Sequence, residues 1–169
     1  GTGKARLAME FAKESCPGRL LLRGRSAEED QPAHWLWSTL VASALGFRVR
    51  SSVDGDSFIK AVSRFFPPEE IGDSLPFLGR LIPAEFDDSR FSSLDGRGIA
   101  LETGMAIRDF MEALGKRNEL VVFLEDTHWM DPTDAEALEF VLRNTRTPGP
   151  VLFILAGRDT GPGSAAAPF

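Results

Sequence analysis

Gly1-Thr2-Gly3-Lys4 sets two glycines and a lysine directly ahead of a helical pattern. Glycines let successive backbone N–H groups curl toward an anion. A helix that starts there points its positive end at the same place, and Lys4 adds a mobile charge able to follow β- and γ-phosphates. A second group is Glu125-Asp126, two acids immediately after the apolar run 120–124. At the carboxyl end of a central parallel strand such side chains reach the ligand crevice. There one carboxylate can hold Mg2+ through water while the other orients or deprotonates an attacking water. The third is Arg158, just past the apolar run 151–156, where a guanidinium can tell a triphosphate from a diphosphate. Each has a plainer alternative: a glycine turn before a helix, a solvated strand end, a surface arginine. What favours chemistry is their order along the chain.

That order depends on the elements between them. Residues 5–14 carry Leu7 and Phe11 four apart, which predicts a helix with one apolar face, and Pro17-Gly18 stops it. Residues 20–22 are three leucines, a short buried strand, and residues 23–31 read as a charged loop. Helices are expected over 32–45, which holds Trp35 and Trp37, over 57–66, and over 99–116, with Ile107, Phe110, Met111 and Leu114 on one side. A further apolar turn or two falls at 76–82, and residues 87–96 form a polar loop. Trp35 and Trp37 cannot share one helix face, so one is expected to pack inward. Asp131-Pro132 starts a helix, the aspartate as cap and the proline in the first turn, ending near Arg143. Residues 120–124 and 151–156 are strands. Strands alternating with helices, apolar on both faces, predict an α/β fold with a parallel sheet.

Gly3-Lys4 fits the last glycine and lysine of a phosphate-binding P-loop, G-x-x-x-x-G-K-[ST], whose first glycine would fall three residues ahead of Gly1. Ala5 stands where that motif has the hydroxyl that ligates Mg2+, and a methyl group cannot replace it. Phosphate binding through backbone N–H groups and Lys4 survives this change; tight Mg2+ binding and turnover are expected to suffer.

Bulk properties narrow the class. A chain of 169 residues suits one domain, and 43% hydrophobic with 26% charged residues is an ordinary globular balance. A formal charge of −6 argues against a broad nucleic-acid surface. No apolar run approaches the ~20 residues a membrane-spanning helix needs, and no signal peptide is evident. The lone Cys16 allows no internal disulfide and fits a reducing, cytoplasmic setting. Gly1 in place of methionine and the low-complexity stretch 161–169 lead us to expect a fragment: a nucleotide-binding core over 1–160 and a flexible tail or linker over 161–169.

The stretch Glu125-Asp126-Thr127-His128-Trp129-Met130-Asp131-Pro132 resembles the acid-acid-x-His-Trp-x-Asp-Pro segment of STAND-type signalling ATPases. These are AAA-type P-loop modules found in large bacterial LuxR-type regulators, in transcriptional activators and beside adenylate/guanylate cyclase domains. Gly3-Lys4-Ala5-Arg6-Leu7 is similar to the family's G-K-[ST]-R-L. Gly24-Arg25-Ser26 with residues 32–37 is similar to its G-R-C…P-x-x-W-P-W, and Leu155-Ala156-Gly157-Arg158-Asp159 to the strand ending in its sensor arginine. The likeness spans nearly the whole chain. It implies a three-layer P-loop sandwich with five parallel strands, whose first strand lies ahead of Gly1. It implies ATP or ADP with Mg2+ as ligands, Gly1, Thr2, Gly3, Lys4, Ala5 and Arg6 around the phosphates (the Walker A element), and Glu125 and Asp126 as the acids that manage Mg2+ and water (Walker B). It further implies Arg158 as γ-phosphate sensor, and His128, Trp129 and Asp131 close to the nucleotide side without reacting. Partners would be other domains of a longer protein, whether sensor repeats or a DNA-binding or cyclase output domain, with oligomers possible.

The expected activity is an ATP/ADP signalling switch with slow hydrolysis at best. A nucleotide-independent scaffold with a degenerate P-loop is the alternative, motivated by Ala5; a motor ATPase ranks lower. Without a strand ahead of Gly1 its neighbours would lose ladder partners, so low stability of residues 1–169 alone is expected.

Overall fold

The computed structural model describes residues 3–15, 17–28, 31–49, 51–65, 67–70, 72–84 and 90–158, the side chains of Lys4, Ser15, Pro68, Arg90 and Ser92 excepted. Gly1, Thr2, Cys16, Asp159, the stretch 161–169 and part of the loop expected at 87–96 lie outside the described residues. Helix α1 (Lys4–Ser15) leads into strand β1 (Leu20–Arg25). Helices α2 (Trp35–Leu45), α3 (Gly55–Val62), α4 (Leu75–Leu81), the short α5 (Arg90–Ser93) and α6 (Gly96–Gly115) follow. Strand β2 (Leu120–Glu125), helix α7 (Pro132–Asn144) and strand β3 (Val151–Ala156) complete the order. The described strands form one parallel sheet in the order β1-β2-β3, with Leu20, Leu120 and Val151 in register. The fold is α/β with helices on both sides of that sheet.

Strand side chains alternate between faces, and the two faces are covered differently. Leu22, Leu120, Val122 and Leu124 join one core with residues of α2, α3, α4, α6 and α7. Ile107, Phe110, Met111 and Leu114 of α6 are all buried there, as the spacing predicts. Val121 and Phe123 point the other way and are equally buried, on the side where α1 lies against β2 and β3. Every residue of β2 is buried, as a central parallel strand requires.

Several local expectations change: the loop expected at 87–96 holds α5 and the start of α6, and the helix expected over 57–66 runs over Gly55–Val62. Strand β1 does not end at Leu22; it continues through Arg23-Gly24-Arg25, paired to Phe123, Leu124 and Glu125 of β2. Arg23 and Arg25 share the exposed side of the strand, and Gly24 sits against α2. A Cβ at Gly24 would meet the Leu36 carbonyl oxygen at 3.0 Å. Helix α2 begins at Trp35, three residues later than the spacing suggests. His34 before it takes left-handed φ (61°) and offers no side-chain cap. Instead Asp134 of α7, fully buried, accepts the Leu36 N–H at 3.2 Å. Of the two tryptophans, Trp37 is the one packed inward, and its indole N–H donates to the Asp134 carbonyl oxygen at 3.2 Å.

Strand β3 departs from the expectation of burial on both faces. Leu152 and Leu155 are 40% and 42% exposed, and on α1 Leu7 is 73% and Phe11 50% exposed. Beyond β3 no strand is paired among the described residues. Such open apolar surface weakens a small domain. We expect the 169-residue chain alone to melt broadly and below the ~45–65 °C range of ordinary mesophilic domains; a sharp, cooperative calorimetric transition above that range would contradict this. No helix among the described residues is long and apolar enough to cross a membrane.

Candidate functional site

The carboxyl edge of the sheet gathers most of the chemistry. Glu125 is the last residue of β2 and pairs with Ala156 of β3, so Arg158 emerges two residues past the same edge. After Glu125 the chain turns sharply. Asp126 takes left-handed φ (53°), a conformation aspartate tolerates better than most residues, and a short 3-10 turn follows over Thr127–Trp129. That turn lies directly against the exit of β3. A Cβ built on Gly157 would stand 2.6 Å from the Thr127 hydroxyl oxygen and 3.3 Å from the His128 nitrogen, so this contact needs glycine. The segments holding Asp126, His128 and Arg158 are therefore neighbours.

Helix α1 reaches the same edge by its length. Its last residue, Ser15, precedes by five positions the start of β1 at the amino edge, where the Leu20 N–H donates to the Glu119 carbonyl oxygen. The 12-residue helix spans about 18 Å and a six-residue strand about 20 Å. Lying against β2 and β3, α1 thus returns its N-terminus toward the carboxyl edge. Gly3, just before it, has φ +73°, a backbone state that glycine adopts at least cost. Its carbonyl accepts the Leu7 N–H at 2.9 Å. Ala5 and Arg6 are exposed on the first turn.

The two acids are held by Arg23 and by Arg25, the latter named in the sequence only within the Gly24-Arg25-Ser26 likeness and neither expected at the site. Arg23 forms a two-point ion pair with Glu125: Nε to Oε1 at 2.6 Å and Nη2 to Oε2 at 2.9 Å. Hydrogen bonding to Glu125 raises the Arg23 guanidinium above its ordinary pKa. Arg25 donates from Nε to Asp126 Oδ2 at 2.9 Å. The available signal was the period-2 spacing of Arg23 and Arg25, which places both on one side of a strand, but only if β1 is read as continuing past Leu22.

The remaining predicted residues divide. Asp131 is a helix cap: its Oδ1 accepts from the Thr133 N–H (2.7 Å), the Thr133 hydroxyl (2.6 Å) and the Asp134 N–H (2.9 Å), so it acts structurally. Trp129 is half-buried, and its carbonyl accepts from Gln31 at 2.5 Å. The His128 ring is 4.7 Å from the Trp129 ring, centroid to centroid. Both His128 nitrogens, like the Ser26 hydroxyl just past the end of β1, are buried without a hydrogen-bond partner.

No cluster of three or more His, Cys, Asp or Glu side chains suited to a metal occurs among the described residues. Mg2+ commonly rests on one or two carboxylates plus phosphate and water rather than in an all-protein cage, and Glu125 and Asp126 could supply those carboxylates. A comparison with protein-family models, curated proteins and solved structures finds no match to this chain.

Proposed function

We propose that the chain is a P-loop-type nucleotide-binding module, an ATP/ADP switch belonging to a larger bacterial regulator of the STAND kind. The observation that carries this reading is the carboxyl edge itself: a glycine-led helix start, two acids ending the central strand, and an arginine leaving the adjacent strand. In this reading the N–H groups of the first turn of α1 and Lys4 bind phosphates, Glu125 and Asp126 serve Mg2+ and water, and Arg158 meets the terminal phosphate. Bound Mg2+ would supply charge neutralisation of the phosphates. A further parallel strand ahead of Gly1, pairing along the open edge of β3, would cover Leu152, Leu155 and the apolar side of α1. Sensor repeats or an output domain elsewhere in the protein would read the nucleotide state, and the cytoplasm is the setting such a switch requires.

Two features favour a nucleotide-independent scaffold as second reading: the Ala5 methyl, and two acids already engaged by arginines. Calorimetric titration of ATP and ADP, with and without Mg2+, separates the two. The switch reading expects binding that weakens at least tenfold, about 1.4 kcal/mol, in Lys4→Ala, and a gain in Mg2+ dependence in Ala5→Ser. Absence of binding by the folded chain would leave the scaffold.

A further inference from the structure

Resting on the nucleotide reading, we propose that Arg23 and Arg25 form a latch over the acids of β2, one that arriving phosphates open by drawing the guanidiniums away, so that a divalent cation gains Glu125 only after the phosphates are in place.

The two sides of the latch differ in freedom. The Glu125 side chain is 7% exposed and fixed at the end of the central strand, whereas Arg23 is 52% exposed. The part able to move is therefore the arginine. Each oxygen of Glu125 already accepts from Arg23, one from Nε and one from Nη2, so a cation meets a carboxylate whose charge is compensated at close range. Asp126 is similarly engaged through Oδ2 by an exposed Arg25. Two guanidiniums against two carboxylates bring the local charge to zero, so the closed site has little attraction for a bare divalent cation, and a guanidinium within 3 Å repels it.

A polyphosphate changes the balance. Guanidinium pairs with phosphate in the same two-point manner as with carboxylate, so a bound triphosphate gives Arg23 and Arg25 an alternative partner of higher charge. As they transfer, Glu125 is left buried and unpaired, a costly state that a divalent cation bridging acid and phosphate relieves. Phosphate and metal would thereby bind in order, even though Ala5 removes the usual hydroxyl ligand.

The test uses two readouts on the 169-residue chain: Mn2+ affinity without nucleotide, by electron paramagnetic resonance, and ATP affinity without metal, by calorimetry. In Arg23→Gln, Mn2+ affinity should rise about tenfold and metal-free ATP affinity should fall several-fold. Arg23→Lys, which keeps the charge but loses the two-point geometry, should fall between and carries the test if Arg23→Gln does not fold. Unchanged Mn2+ affinity with ATP still bound would overturn the latch alone. Unchanged metal-free ATP affinity alongside a gain in Mn2+ binding would overturn the opening by phosphate. Failure of both parent and variants to bind ATP would instead overturn the nucleotide reading.

Discussion

Replacing Trp37 with alanine is expected to remove about 3–5 kcal/mol of stability, a large fraction of the ~5–15 kcal/mol total of a typical domain. Trp37 has no exposed surface and is the largest of the fully buried side chains. It belongs to the single core that joins α2 to the sheet and to α6 and α7, so its loss opens a cavity where these elements meet. Its indole N–H also bonds the Asp134 carbonyl oxygen, which ties the first turn of α2 to the first turn of α7. Trp37→Phe keeps most of the volume but not that bond, and should cost about 1 kcal/mol plus a packing penalty. Urea denaturation followed by circular dichroism measures both. A loss below about 1 kcal/mol in Trp37→Ala would show that the α2–α7 junction is not part of the cooperative core.

The second large effect is a pH dependence centred on Asp134. Burial, with Asp131 nearby, pushes its carboxyl from an ordinary 3.8 up to about 7, although the Leu36 and Trp37 backbone pull the other way. Between these two values the folded chain holds a proton that the unfolded chain has released. Stability therefore falls as pH rises from about 4 to about 7, and levels off above. The gap corresponds to roughly 4 kcal/mol. His34 contributes with opposite sign: burial lowers its pKa, so below its ordinary value the unfolded chain takes up the extra proton, and stability grows as pH rises toward that value. The difference between the parent and Asp134→Asn isolates the aspartate, because asparagine keeps an oxygen to accept the Leu36 N–H and cannot ionise. Asp134→Asn should be the more stable at pH 8 and lose the advantage toward pH 5. Parallel stability curves for the two chains across that range would refute the assignment.

How far the sequence alone reaches depends on whether a feature is local. The Asp131-Pro132 helix start was legible because a cap is made within three residues, and the structure shows Asp131 accepting from the N–H groups of Thr133 and Asp134. The strands β2 and β3 were legible from continuous apolar runs, and α6 from Ile107, Phe110, Met111 and Leu114 at helical spacing. The parallel α/β sheet followed from their alternation. The extension of β1 through Arg23-Gly24-Arg25 was not legible, because two charges and a glycine look like loop until β2 supplies the ladder. The start of α2 was misjudged for the same reason: the carboxylate that caps it, Asp134, lies 98 residues away.

The candidate site shows the same division. Composition and order along the chain determined which residues had the chemistry: the glycine turn, Glu125 with Asp126, and Arg158. Only the tertiary structure decided that Arg23 and Arg25 hold those acids and that Gly157 lets the end of β3 close onto the turn after β2. The physical reason is that side-chain type and spacing act over a helical turn or a strand, whereas the partner of a buried charge is chosen by which strands lie side by side, and in this sheet those strands are about a hundred residues apart in the chain.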